Sequence, residues 1–127
     1  MRIRLIENGA VIATATLDSG DGARDFAALL PLDLTLEDYA STEKIADLPG
    51  RLSTKGMPDA YKPSAGDICF YAPWGNLAVF YKDGDPSEGL VRLGVLDSVP
   101  SEPWSCTPMH VRLEMIRSPP VRDARSR

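Results

Sequence analysis

Residues 66–82, GDICFYAPWGNLAVFYK, are the stretch of this chain that decides its fold. Two runs rich in aromatic and branched residues, 67–72 and 77–82, flank the sequence PWGN at 73–76. Aromatic and β-branched residues favour extended strands, whereas proline, glycine and asparagine favour tight turns. The stretch therefore predicts a β-hairpin with Trp74 at its tip.

Alternation of apolar and polar residues predicts that most of the remaining chain is also extended. Residues 2–7 and 10–17 flank Asn8-Gly9, and Asn-Gly between two β-prone runs is the strongest short signal for a hairpin. The positions predicted to face the core in the second run are Val11, Ala13, Ala15 and Leu17. Further strands are predicted at residues 32–37, 41–48, 90–96 and 109–116, and Gly94 is predicted to mark a bulge or a close approach.

One helix is predicted, over residues 23–30. Its apolar residues have the spacing of a single helical stripe and are Ala23, Phe26, Ala27 and Leu30. Pro31 predicts its end, because helical geometry is disfavoured just before a proline. Seven or eight short strands with one or two short helices predict an all-β, mainly antiparallel fold that closes into a barrel.

Composition predicts one globular domain, residues 1–116, followed by a tail. The chain has 127 residues, of which 43% are hydrophobic and 25% charged, as in an ordinary globular protein. Net charge is −4, yet residues 117–127 carry +3, which leaves −7 on the body. An acidic body argues against nucleic acid as a partner. The basic, proline-containing tail is predicted to be disordered.

The same survey predicts a cytoplasmic protein without cofactor. No apolar run approaches the ~18 residues of a membrane span, and the charged N-terminus lacks a signal-peptide pattern. The cysteines Cys69 and Cys106 are predicted to be reduced, packed thiols, with a single disulfide as the alternative. His110 is predicted to face outwards, and no His/Cys pair has ligand spacing, so no metal is expected. Apolar residues near Trp104 leave monomer and homodimer both open.

Several motifs resemble the small bacterial and archaeal cyclophilin-like domain proteins. They are YAPWGNLA at 71–78 followed by Phe80-Tyr81-Lys82, Tyr61-x-Pro63-x-x-Gly66-Asp67, and Leu93-Gly94, together with the first hairpin and the helix. The resemblance spans roughly residues 2–116 and implies a trimmed form of the eight-stranded cyclophilin barrel.

The resemblance does not extend to the catalytic residues of true cyclophilins. These enzymes isomerise X–Pro bonds, whose rotational barrier is ~18–20 kcal/mol, with an arginine and aromatic walls, and their Phe-His-Arg hallmark is missing here. The outward residues at 32–37 include no arginine, His110 comes too late in the chain, and Phe80 alone matches an aromatic wall. A binding module without isomerase catalysis is therefore predicted, with a weak or divergent peptidyl-prolyl cis-trans isomerase as the alternative.

A candidate groove is predicted between the irregular segment 49–66 and the Trp74 hairpin, to hold a peptide or a small ligand. Aromatic residues cluster between positions 39 and 81, and aromatic-lined clefts are common binding sites. The alternative is that these rings fill the barrel core and plug its loops. Glu43 and Lys44 are candidates for binding a polar ligand or for acid–base work, with a surface ion pair as the alternative. The predicted groove residues are Tyr39, Glu43, Tyr61, Tyr71, Trp74, Asn76 and Phe80.

Overall fold

The computed structural model describes residues 1–98, 104 and 107–116, and these form ten strands and one helix. In chain order they are β1 Arg2–Glu7, β2 Ala10–Leu17, α1 Asp21–Leu29, β3 Leu32–Tyr39, β4 Glu43–Asp47, β5 Ala60–Tyr61, β6 Asp67–Tyr71, β7 Asn76–Phe80, β8 Ser87–Glu88, β9 Leu90–Leu96 and β10 Met109–Met115.

Eight of these strands form one closed, antiparallel barrel. Their order around it is β1-β10-β3-β4-β7-β6-β9-β2, and β5 pairs with β8 in a separate two-stranded ribbon. Closure leaves none of the eight strands with an unpaired edge. The prediction of an all-β, mainly antiparallel barrel with one helix is confirmed.

The barrel interior is filled by alternate residues of its strands, because successive side chains in a strand point to opposite faces. Ile3 and Leu5 of β1 and Leu113 of β10 are among its fully buried members. Burying one such side chain stabilises the folded state by about 1.5–3 kcal/mol relative to leaving it exposed. Ala23 and Phe26 of α1 are also part of this core, so the predicted apolar stripe is the face by which the helix packs on the barrel.

The central hairpin β6–β7 is buried on both faces. Ile68 and Phe70 of β6 belong to the barrel core, whereas Cys69 belongs to a second apolar cluster on the outside of the sheet. The other buried members of this outer cluster are Ala78, Phe80 and Leu90. Double burial explains why residues 66–82 are almost continuously apolar, and it means that other parts of the chain cover the outer face here.

Some predicted boundaries are wrong by one or two residues, and two short strands lie where no strand is predicted. Asn76 is the first residue of β7 rather than part of the turn. The segments 49–66 and 83–89 contain β5 and β8, which pair with each other. A two-residue strand has no periodicity of its own to reveal it.

The predicted inward position of Val11 is wrong, whereas the prediction for Gly94 is confirmed. Val11 is 54% exposed, because a register shift in the β1–β2 pairing falls between Leu5 and Ile6 and breaks the alternation. At Gly94 the β6–β9 register also shifts, and an added Cβ would lie 2.4 Å from the Thr16 carbonyl oxygen.

The thiol of Cys69 is free and fully buried, as predicted. Cys106 and the tail 117–127 lie outside the described residues. No helix formed by the described residues has the length and apolar character needed to cross a membrane.

Candidate functional site

A cavity of about 170 Å³ opens on the outer face of the barrel beside the β6–β7 turn. Parts of the chain that are distant in sequence line it, and five of the seven predicted groove residues are among them. The lining residues are Tyr39, Glu43, Tyr71, Trp74, Asn76, Ser87 and Leu90. The cavity thus lies on the opposite side of the sheet from the barrel core.

The β6–β7 turn presents Trp74 to solvent. The backbone N–H groups of Trp74 and Gly75 donate to the carbonyl oxygen of Tyr71, over 3.3 and 2.9 Å. Gly75 has a φ of +69°, a conformation that glycine adopts without steric cost. The turn leaves the Trp74 side chain 56% exposed at the rim of the cavity.

Three aromatic rings form one wall of the cavity. The ring of Trp74 stands edge-on to Tyr39, with centroids 5.8 Å apart and an interplanar angle of 83°. It stands edge-on to Tyr71 as well, at 5.4 Å and 82°. Both geometries are favourable because the positive edge of one ring meets the negative face of the other. We call Tyr39, Trp74 and Tyr71 the aromatic wall.

Residues 87–90 supply further lining, and Gly89 holds them in place. Its N–H donates to the Asp59 carbonyl oxygen over 2.9 Å, and its own carbonyl oxygen accepts from the Ala72 N–H over 2.9 Å. Gly89 has a φ of +79°, and an added Cβ would lie 2.8 Å from the Cδ of Pro73. These contacts bring Ser87 and Leu90 next to the turn.

Glu43 is a half-buried carboxyl in this cavity. It is the first residue of β4 and pairs with Tyr39 on β3 and with Phe80 on β7. Burial raises its pKa from 4.5 to about 7. Within the described part of the chain, no hydrogen bond or ion pair to this carboxyl is found. The carboxyl in this site therefore ionises near neutral pH instead of in the acidic range.

Asn76 contributes a buried polar atom without a partner. The residue is 4% exposed and lies between Tyr71 on β6 and Asp47 on β4. Its side-chain oxygen Oδ1 has no hydrogen-bond partner among the described residues. An unsatisfied buried acceptor costs about 1–3 kcal/mol, so an atom of this kind in a cavity wall calls for an explanation.

Two predicted groove residues, Tyr61 and Phe80, do not line the cavity. The Tyr61 hydroxyl donates to Oδ2 of Asp67 over 2.5 Å, and burial together with Asp67 raises its pKa to about 12. Phe80 is 3% exposed and packs in the outer apolar cluster beneath the loops. No residue of 49–66 lines the cavity, so the wall that this segment was expected to form comes from residues 87–90.

Glu43 and Lys44 do not form the surface ion pair considered as an alternative. Adjacent strand residues point to opposite faces, and Lys44 is fully buried, with its Nζ donating to the Thr107 carbonyl oxygen over 2.9 Å. Only Glu43 reaches the cavity.

An arginine on the same outer face was not predicted from the sequence. Arg92 of β9 lies opposite Cys69 of the neighbouring strand β6. Its guanidinium donates to both carboxylate oxygens of Asp18, over 3.1 and 3.2 Å. Its Nη1 lies 3.9 Å from Oδ1 of the buried Asp67. Alternation along β9 could have predicted its position, because Arg92 is two residues from Leu90 and both therefore lie on one face. Its partners Asp18 and Asp67 could not be predicted, because they are distant in sequence.

Within the described residues, the thiol, the histidine and the acidic side chains offer little further nucleophilic or metal-binding chemistry. Burial, with a contribution from Asp67, raises the pKa of the Cys69 thiol far above its ordinary value, so this thiol is a poor nucleophile. His110 is exposed, as predicted, with Nδ1 2.9 Å from Oγ1 of Thr35. The described residues contain no group of three or more His, Cys, Asp or Glu side chains able to hold a metal ion.

Comparisons with known proteins agree with this architecture. A family model described as the cyclophilin-like family matches residues 6–107. The solution structure of the hypothetical protein AF2241 from Archaeoglobus fulgidus is similar, with a TM-score of 0.66 at 16% sequence identity, covering 90% of this chain and 93% of that one. At this identity the likeness shows the fold alone. A comparison with curated proteins found no match.

Proposed function

The chain belongs to the cyclophilin-like family, and for this member we propose a binding role. The domain holds a small ligand or a peptide segment in the outer-face cavity without isomerising it. The observation that carries this proposal is the side-chain oxygen of Asn76, a residue that lines the cavity: this oxygen is buried and accepts no hydrogen bond from the described residues. A ligand N–H group would satisfy it.

The remaining lining suits a binding site. The aromatic wall and Leu90 supply apolar area, while Glu43, Asn76 and Ser87 supply a small number of polar groups. Ligand sites are commonly built this way, with apolar surface for affinity and a few polar groups for orientation. The exposed ring of Trp74 is the part of the wall that a ligand would cover.

The surroundings of the nearby arginines argue against isomerase catalysis. The cyclophilin mechanism requires a guanidinium available to the proline carbonyl and nitrogen. Arg92 is held by Asp18 and faces Asp67, and Arg51, next to the turn, donates to the Ala72 carbonyl oxygen over 3.1 Å. The Arg92 guanidinium is therefore occupied by two carboxylates of the chain, and that of Arg51 is engaged by one backbone carbonyl oxygen.

A binding screen read by tryptophan fluorescence tests the proposal. In a Trp104→Phe background, Trp74 reports on the cavity, and peptides and metabolites are titrated one by one. We expect at least one to shift the Trp74 emission. The affinity read from this shift should fall about tenfold in Asn76→Ala, because this variant loses a buried acceptor. The affinity should stay unchanged in the control Tyr61→Phe, because Tyr61 lies outside the cavity. Failure of every compound to bind, or equal binding by Asn76→Ala, would contradict the proposal.

An isomerase assay on an Ala-Pro peptide tests the alternative. We expect exchange between the cis and trans forms at the uncatalysed rate, measured by NMR line shapes. Turnover well above background that disappears in Arg92→Gln would establish catalysis and refute a purely binding role.

A further inference from the structure

We propose that the cavity selects organic cations that carry N–H donors, with an ammonium or guanidinium group held between Glu43 and the aromatic wall and a second N–H donated to Asn76. This inference rests on the proposed function and names the chemical class of the ligand. Four observations support it: the acidic group, the aromatic faces, the unpaired acceptor and the size of the site.

The first observation is the charge around Glu43. Among the residues that the structure describes, the titratable side chains placed next to it are Tyr39 on β3 and Cys69 and Tyr71 on β6, and none of these is cationic. Its partner on β7, Phe80, is apolar. A carboxyl without a cation inside a half-buried site attracts a positive ligand, because the ligand supplies the missing countercharge.

The second observation is the aromatic wall next to that carboxyl. The faces of tryptophan and tyrosine rings attract cations within about 6 Å through the ring quadrupole. Trp74 and Tyr39 are 56% and 46% exposed, so ring surface is available to a ligand. An anion would meet the same electron-rich faces and the Glu43 carboxyl, and would be repelled by both.

The third observation is the polarity of Asn76. Its Oδ1 is an acceptor, which excludes a ligand that brings only acceptors to this point. Glu43 pairs with Phe80, which is four residues from Asn76 along β7, so the two acceptors belong to separate positions of the sheet. A ligand that satisfies both carries a donor for each of them.

The fourth observation is the volume. A cavity of about 170 Å³ holds about five or six water-sized groups at ~30 Å³ each. That is the size of a short diamine or of a lysine side chain. Free amines and lysine-containing peptides share this chemistry, and the test separates the two sources.

Calorimetric titration with matched ligands tests the inference. The probes are 1,4-diaminobutane and N-acetyl-lysine N-methylamide, with 1,4-butanediol and N-acetyl-norleucine N-methylamide as their neutral counterparts and succinate as the anion. We expect a cation to bind and its neutral counterpart and succinate not to. Binding by the diamine alone assigns a free amine as the source, and binding by the lysine compound alone assigns a peptide.

Variants and pH identify the residues responsible. Glu43→Gln should weaken cation binding about tenfold or more, because it removes a charge-assisted contact. The control Glu37→Gln, an exposed acid on β3 outside the cavity, should leave binding unchanged. Since a cation prefers the ionised carboxyl, whose pKa is about 7, affinity should rise between pH 6 and 8, and Glu43→Gln should abolish this dependence.

A second variant distinguishes a loss of cation binding from a loss of folding. Trp74 is exposed in a turn, so Trp74→Leu keeps apolar area while removing the strongest cation-attracting ring. Cation affinity should fall about two- to fivefold, with circular dichroism unchanged. Equal binding of neutral counterparts, or full affinity in Glu43→Gln, would overturn the cation preference. The proposed function fails separately, when no compound of any charge binds in an Asn76-dependent manner.

Discussion

Among single residues, surroundings rather than residue type set the chemistry of the outer barrel face. Glu43 and Cys69 lie close together there, and burial raises the pKa of each. For the carboxyl this places ionisation near neutral pH, where a ligand can shift it. For the thiol it suppresses the reactive thiolate. For Arg92, the carboxylates of Asp18 and Asp67 hold the guanidinium within the chain.

The Arg92 contacts yield a stability prediction. Arg92→Gln should lower the free energy of unfolding by about 1–3 kcal/mol, because it leaves the buried carboxylate of Asp67 without its nearby charge. The Asp67 side chain is 4% exposed. Arg112→Gln is the matched control, since Arg112 pairs with Asp33 and Glu114 at the surface, and it should leave the free energy of unfolding nearly unchanged. Urea denaturation measures both, and equal losses would show that Asp67 does not need Arg92.

Among the elements, the β6–β7 hairpin supports the site. One of its faces belongs to the barrel core, and the other belongs to the outer apolar cluster, which packs beneath the cavity. The ribbon β5–β8 and the Gly89 contacts then bring residues 87–90 over that outer face. One part of the cavity thus rests on a doubly buried hairpin, while the lining from 87–90 comes from β8 and the first residue of β9.

The contact between β9 and β2 depends on a residue without a side chain. At Gly94→Ala the new Cβ would lie 2.4 Å from the Thr16 carbonyl oxygen and 2.9 Å from the Cα of Leu17. Both are backbone atoms of a paired strand, so the strands must separate, and we expect a loss of about 1–3 kcal/mol. Gly50→Ala is the control, because its Cβ would meet only Cδ2 of Leu29 at 3.6 Å. Thermal unfolding of the two variants measures the difference, and equal midpoints would argue against close packing at Gly94.

For the whole molecule, closure joins strands that are far apart in sequence. β1 pairs with β10, and β2 pairs with β9. The interior is one connected cluster that includes residues of all eight barrel strands. Because the strands share this core, we expect them to unfold together rather than in parts.

Leu113→Ala tests this cooperativity at a distance from the cavity. Leu113 is 1% exposed in the core, so its truncation should cost about 2–5 kcal/mol. The loss should appear equally in far-ultraviolet circular dichroism and in Trp74 fluorescence measured in the Trp104→Phe background. The control Val11→Ala removes an apolar side chain that is 54% exposed and should cost less than about 0.5 kcal/mol. Separate transitions for the two probes would mean that the cavity region unfolds independently of the barrel.

Much of the candidate site could be predicted because its residues lie next to recognisable local signals. Trp74 follows from the turn sequence PWGN, and Tyr71 and Asn76 flank that turn. Ser87 and Leu90 could not be predicted as lining, since their place depends on the backbone contacts of Gly89 with Asp59 and Ala72. Tyr61 and Phe80 were predicted as groove residues because they are aromatic, and aromatic character alone does not distinguish a lining residue from a packed one.

By itself the sequence determined which segments form the eight barrel strands, which one is helical and that the whole is a β-barrel. Alternation, Asn8-Gly9, PWGN and Pro31 are local signals, and they act through backbone preferences over a few residues. Only the tertiary structure decided that Glu43 is half buried, that the side-chain oxygen of Asn76 has no partner among the described residues and that Arg92 is held by Asp18 and Asp67. Burial and pairing depend on which distant strands meet, and no short stretch of sequence encodes that.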